Sequence, residues 1–519
     1  MKIWQTSAID FYFRLLFLVA GLNLCRAKSP SSKCDVKYLE KTTILDCRDR
    51  GHSQVPQVND ILRRNIDVID LSHNNIRTLQ DGAFARLPPA KSILLENNKI
   101  MDVLPGAFAG RENVIETINL SGNNLTCFPV KAVFQLRTLK KLFLSGNKIV
   151  YNRQEDTMIA EHDRGLWLEE LSLDNNPLGT FYDNGYKFGV DLKMLNIAKT
   201  GIRSLPWFVK DLTNLHSLDI SGNRIRISKR NENAISQLQR LRILRMGDMK
   251  LRQVPRLRLQ NLREFYLDHN RIFLLPTGAF QDLNNLQSLS LDKNKFRTIS
   301  NHAFLGVADT LEKVSLAECT LSEFPSALAG LANLKRLILS DNRLSEIQTS
   351  LLKYKQNLEA LYLDDNRFEH VPYGIRTLKQ LKVLGFSNNE ISEIDVNIFY
   401  ELANLEYLHF QGNQITSMNP VIFTGLNGPM KLDIMSNHVT NLDMCFLSTK
   451  VDHLYIHGNP VVCDCALYWL FKGDKIVDDS SRCHGNNKYA GYTFKEMISR
   501  VEENESCSEF DKEMYLGYC

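Results

Sequence analysis

The sequence predicts an α/β solenoid curved into a horseshoe. A parallel sheet of about 17 strands should line its concave side, with mostly loops, 3₁₀ turns and short helices on the convex side. Three observations carry this reading. A frame of Leu-x-x-Leu-x-Leu-x-x-Asn-x-apolar recurs along the chain, at steps of mostly 23 to 25 residues. A phenylalanine returns at a constant offset after many frames. Cysteines gather at both ends of the array, where a stack of repeats needs caps.

The frame reads LEALYLDDNRF at residues 358–368, and recurs as LHSLDISGNRI (215–225), LQSLSLDKNKF (286–296), LKRLILSDNRL (334–344) and LEYLHFQGNQI (405–415). Side chains alternate along a strand, so Leu361 and Leu363 enter the core and Tyr362 between them faces out. Asn366 turns the chain inward, and its amide can bond backbone groups that would otherwise lie unpaired. No unit can bury its apolar side alone, so the units must stack. Seventeen frames run from Asn74 to Asn459, with Thr200, Met249 and Cys319 replacing the asparagine. The step is 29 residues from Asn147 to Asn176 and 21 from Met249 to Asn270. This frame and period resemble those of the leucine-rich repeat.

Length alone would suggest several domains, but the repeats imply one long array with two caps. The net charge of +4 is mild, and the basic residues read as interleaved with acids, which gives no case for nucleic acid. Residues 1–27 read as a secretory signal, with an apolar run at 15–22 and Ala27 before the cut. An uncleaved anchor would need an apolar run of about 20 residues. No other run is long enough to span a bilayer, so the expected location is the extracellular space or matrix. The cysteines agree with an oxidising compartment.

In order along the chain, residues 28–65 form an N-terminal cysteine cap, 66–458 the repeats, 459–507 a C-terminal cap and 508–519 a short tail. Phe84, Phe108, Phe280 and Phe304 follow the frames at one offset, and Phe399 and Phe423 take the same place, so the rings should stack. Residues 151–165 interrupt the period, as either a functional loop or a plain surface bulge. Residues 168–259 are the least regular repeats. Cys127 and Cys319 should be free and buried. The last frame runs into NPVVCDCALYWL at residues 459–470, where Trp469 and Leu470 should lie on a short helix closing the core. Spacing alone allows three pairings of Cys463, Cys465, Cys483 and Cys507.

From about Cys34 to Cys507 the chain resembles animal extracellular leucine-rich-repeat proteins, such as Toll-like receptor ectodomains, Slit and the acid-labile subunit. The resemblance implies disulfides Cys34–Cys47, Cys463–Cys483 and Cys465–Cys507. Cys445 and Cys519 stay unassigned; Cys519 could pair with Cys445 or link a second chain into a dimer.

No nucleophile elbow, P-loop, HExxH or dinucleotide glycine motif occurs, so the sequence implies no catalytic residue and no cofactor. His453 and His457 lack further ligands at metal-binding spacing apart from Asp452, and read as exposed histidines. Sequons stand at Asn119, Asn124 and Asn504, and a glycan on Asn119 would mask the N-terminal part of the concave face. Acids dominate the two residues before the frame asparagine, among them Glu96, Asp292, Glu318, Asp341, Asp364 and Asp365. They either attract a basic partner or shape the turn, and turn shaping is favoured. Tyr362, His409 and Tyr455 occupy the outward position between the two core leucines, and Tyr407 stands beside His409. Gly385 and Asp433 lie on the rungs between, so a groove should open there, with Met430 and Met435 adding apolar surface. The expected function is binding of a protein or glycoprotein partner through this face. The alternatives are an innate-immune recognition factor or soluble co-receptor, and a non-catalytic carrier subunit of a secreted enzyme.

Overall fold

The computed structural model describes residues 34–39, 41–57, 65–150, 167–179, 189, 191–477, 481–504, 507, 512, 513 and 516. The expected leader, the insertion at 151–165 and Cys519 lie outside them. The chain divides into two compact units, Met1–Ile202 and Arg203–Cys519.

The first unit opens with a hairpin. Asp35–Leu39 pairs antiparallel with Thr42–Asp46, and the Cys34–Cys47 disulfide closes its open end. Thr42–Asp46 then pairs in parallel with Val68–Asp70, so the cap also serves as the rung before the first repeat. Six parallel repeat strands follow, ending at Met194–Asn196. Their central residues align as Ile69, Ile93, Ile118, Leu142, Leu171 and Leu195, all buried. The second unit carries eleven parallel repeat strands, from Ser217–Asp219 to Val451–Tyr455. Six and eleven match the 17 frames one for one. Burying each central side chain contributes about 1.5–3 kcal/mol, and the repetition rather than any single contact holds the stack.

The frame asparagines form a buried ladder. Asn342 Nδ2 donates to Leu339 O at 2.9 Å in its own frame and to Leu316 O at 2.9 Å in the frame before. Its Oδ1 accepts the amides of Cys319 and Leu321, at 3.1 and 2.9 Å. Asn98, Asn294, Asn366 and Asn413 repeat the pattern. The residue before each asparagine has a positive φ in all 17 frames. Twelve are not glycine, including Asp341 (φ 57°) and Asp365 (φ 54°), and the other five are glycine. Asn and Asp tolerate this left-handed geometry better than most side chains, which explains part of the acidic bias on physical grounds.

The outer layer is as expected. Its elements are 3₁₀ turns such as Tyr373–Thr377 and short helices, of which Lys229–Ser236 is eight residues long. The phenylalanine rings stack: Phe84 on Phe108 at 5.4 Å, Phe280 on Phe304 at 6.0 Å and Phe399 on Phe423 at 6.2 Å. In the C-terminal cap, Asp464 accepts the Leu467 amide at 3.0 Å and starts the helix Cys465–Lys472, which buries Trp469 and Leu470 against the last rung. Cys463–Cys483 and Cys465–Cys507 staple it. Cys445 is disulfide-bonded, and its partner lies outside the described residues. Cys319 is a buried thiol that donates to Leu291 O at 3.3 Å, and burial pushes its ionisation far up. Cys127 corrects the expectation of burial: its thiol is exposed, because the turn after Asn124 carries residues 126 and 127 outward.

Candidate functional site on the strand face

Each repeat strand shows two side chains outward, and the parallel register stacks them into columns about 4.8 Å apart per rung. One column in the second unit runs Tyr362, Gly385, His409, Asp433, Tyr455. The neighbouring column places Tyr407 beside Lys431 and then His453. All four expected partner-binding residues, Tyr362, Tyr407, His409 and Tyr455, are therefore half-buried on one face of one unit.

The structure draws three of these residues and Lys431 into a cluster. The rings of Tyr407 and His409 stack at 5.8 Å and 13°. Lys431 Nζ sits 5.0 Å from the centre of the Tyr407 ring, and its hydrogen bond with Tyr407 holds the ammonium above its usual range. His409 Nδ1 lies 3.8 Å from Asp433 Oδ2, while Asp433 Oδ1 accepts the Met435 amide at 3.0 Å. Tyr455 follows on the next rung. Aromatic rings held rigid by stacking, with a cation and a carboxylate beside them, offer contact area and polar tips at low entropic cost.

Two features differ from the expected groove. At Gly385 the gap is filled: a Cβ there would lie 2.6 Å from Asp364 Oδ2. Asp364 reaches across to accept the Ser387 amide at 2.9 Å, and burial raises its pKa above the ordinary carboxylate value. Tyr362 is thus separated from His409 by a half-buried carboxylate rather than by an open slot. Met430 is fully buried opposite buried Val451, where the pairing with the last strand shifts register between Met430 and Lys431, while Lys431 faces outward in unshifted register with Tyr407. Met435 stays half-exposed.

The acidic residues are of two kinds. Asp292 and Asp364 accept backbone amides of the next rung, from Ala317 at 2.8 Å and from Ser387. Asp341 does not: its Oδ2 is buried without a hydrogen bond, and burial with nearby Asp365 and Glu318 raises its pKa to about 6. Among the described residues no group of three or more His, Cys, Asp or Glu is arranged to hold a metal ion. The sequon asparagine Asn119 is buried, and its amide donates to Glu96 Oε1 at 2.5 Å while its Oδ1 accepts the Ser121 amide at 3.0 Å. Asn124 is half-exposed, and the side chain of Asn504 lies outside the described residues.

A family model described as leucine rich repeat matches residues 64–115, 88–149, 260–310, 332–391, 356–415 and 379–439. The chain is a leucine-rich-repeat protein. It is similar to podocan-like protein 1 of Mus musculus, 26% identical over 347 residues, covering 61% of this chain and 55% of that one. It is also similar to Toll-like receptor 8 of Homo sapiens, 25% identical over 445 residues, covering 70% of this chain and 41% of the receptor. The chain spans about half the length of such relatives. Among solved structures, Toll of Drosophila in its complex with Spatzle superposes with a TM-score of 0.59, at 16% identity, over 92% of this chain and 74% of that one. That likeness shows the leucine-rich-repeat fold. No helix among the described residues is long and apolar enough to cross a membrane.

Proposed function

We propose that this leucine-rich-repeat chain is an extracellular, non-catalytic binding protein, and that it recognises a protein or glycoprotein through the strand face of its second unit. The observation that carries the reading is the stacked pair Tyr407–His409 with Lys431 and Asp433 beside it and Tyr455 on the last rung. Such a cluster has the composition of an interface hot spot. Three cap disulfides support an oxidising compartment. Toll, whose fold is shared, holds the protein Spatzle in its solved complex. A second reading, an innate-immune recognition factor or soluble co-receptor, is favoured by the likeness to Toll-like receptor 8.

Affinity capture from extracellular fluid, followed by binding assays with Tyr362→Ala, Tyr407→Ala and Tyr455→Ala, tests the proposal. A true anchor loses about 2 kcal/mol, or roughly thirtyfold in affinity. Unchanged binding of the captured partner by all three variants would place the site elsewhere. The identity of the partner separates the readings: a microbial ligand favours the second, and a secreted enzyme favours a carrier subunit.

A further inference from the structure

Residues 224–271 contain 13 Lys and Arg against 4 Asp and Glu, a net +9 in a chain whose total is +4. Sequence alone scatters these charges among acids and apolar positions. The solenoid gathers them. The residue after each frame asparagine, or its substitute, is Arg224, Lys250, Arg271 and Lys295 on four successive rungs of the second unit. Two residues further on, across a buried position, stand Arg226, Arg252 and Arg297. All seven are exposed, and among the described residues none forms an ion pair or a side-chain hydrogen bond. Two parallel rows of unneutralised cations therefore run along the turn edge of the unit, beside and not on the strand face.

The track contains a cleft of about 620 Å³, lined by Arg224, Arg226, Lys250 and Arg252, with Ile225 and Met249 among its apolar lining. Its origin lies in the spacing of the repeats. The frame step is 26 residues from Asn223 to Met249 and then 21 to Asn270, so a repeat whose outer layer carries the helix Lys229–Ser236 is followed by one with less chain. Met249 also breaks the asparagine ladder. In regular repeats the amide two residues past the frame asparagine donates to the next asparagine, as Ile272 does to Asn294 at 3.0 Å. At Ile225 the next frame offers a methionine instead. The one carboxylate lining the cleft, Glu232, accepts the Arg256 amide at 2.9 Å.

We infer that this edge binds a sulfated polysaccharide, its sulfates seated on the Arg224–Lys250–Arg271–Lys295 row and one sugar entering the cleft between Arg226 and Arg252. A linear polyanion fits a narrow track of cations at regular rungs. Guanidinium groups, five of the seven cations, bind tetrahedral oxyanions through paired N–H groups. Phe273, the third-rung residue of the second row, is exposed, but a single ring makes no stacking platform for successive bases, which nucleic acid would require. The surface is separate from the aromatic cluster, so this inference stands or falls independently of the strand-face reading.

The test is binding of a fluorescent heparin dodecasaccharide at several NaCl concentrations. It compares the parent chain, the triple variant Arg224→Gln/Lys250→Gln/Arg252→Gln, and a control of equal charge change, Lys335→Gln/Lys353→Gln/Lys379→Gln. The track variant should lose at least tenfold in affinity at 0.15 M NaCl, and its log–log salt slope should fall by about 2–3, since each lost contact releases fewer counterions. The control should stay within about twofold of the parent. Equal losses in both triples would mean that net charge alone drives binding and would overturn the site. Tighter binding of single-stranded RNA, or of vesicles containing phosphatidylserine, than of the dodecasaccharide would overturn the assignment to a sulfated polysaccharide.

Discussion

Asn342→Ala removes one rung of the buried ladder. The wild-type side chain makes five bonds to backbone groups: it donates to Leu316 O, Leu339 O and Ser340 O, and accepts the amides of Cys319 and Leu321. The alanine fills none of these positions. The Leu321 amide and the Leu316 carbonyl belong to the preceding repeat and are left facing a small void. A stranded buried backbone group costs about 1–3 kcal/mol, so two of them predict a loss of about 2–6 kcal/mol. The assay is urea unfolding followed by near-UV circular dichroism, with hydrogen exchange at the Leu321 amide as the local readout. The midpoint should fall, and exchange at Leu321 should accelerate more than at Ile391, which is bonded to Asn413 several repeats away at 3.0 Å. A loss below about 0.5 kcal/mol, with Leu321 still protected, would refute the ladder as a source of stability.

Asp341→Asn should raise the melting temperature at pH 7.5, with the gap closing near pH 4.5. The folded pKa of Asp341 lies above the unfolded value, so its ionisation destabilises the fold as pH rises from about 4 through 6, and that loss is reversed as pH falls through the same window. Asparagine keeps the left-handed backbone without the charge; thermal scans across pH check this. Opening Cys465–Cys507, which closes a separation of 42 residues, should cost about 4 kcal/mol by the loop-entropy estimate, against about 3 kcal/mol for Cys34–Cys47 with a separation of 13. Paired Cys→Ser variants in denaturant titrations measure both. Glycopeptide mapping should find Asn124 occupied and Asn119 bare, because the Asn119 amide is buried against Glu96.

Much of the fold was legible because one residue pattern repeats 17 times and each copy has a single way to bury its leucines. The asparagine ladder and the phenylalanine stacks follow from constant offsets, and they stand where the frames put them. What the sequence hid depends on neighbours across rungs. Asp364 fills the space at Gly385 because the two are adjacent in the stack, although 21 residues separate them in the chain. Met430 lies inward, opposite Val451, at a local register shift against the last strand that no periodicity announces. The first cap strand, Asp35–Leu39, carries no frame at all and pairs only through its hairpin. The basic excess of residues 224–271 can be counted in the sequence, but its alignment into rows cannot, since the members of a row stand 21 to 26 residues apart and meet only when the rungs are laid side by side. The clustering of Tyr407, His409 and Tyr455 and the place of Lys431 beside Tyr407 were readable from the frame positions, since Tyr407 and Lys431 pair in unshifted register, but the approach of the ammonium to within 5.0 Å of the ring centre was not.

The most direct measurement of the strand-face proposal is site-specific photo-crosslinking. A benzophenone amino acid replaces Tyr407 or Tyr455 in turn, with exposed Tyr354 on the outer layer as the control position. Each protein is irradiated in extracellular fluid, and the adducts are compared with those formed when His409→Ala is also present. The account predicts one shared partner captured from positions 407 and 455 but not from 354, and lost when His409 is replaced. Capture of that partner from position 354 alone, or equal capture with and without His409, would contradict it.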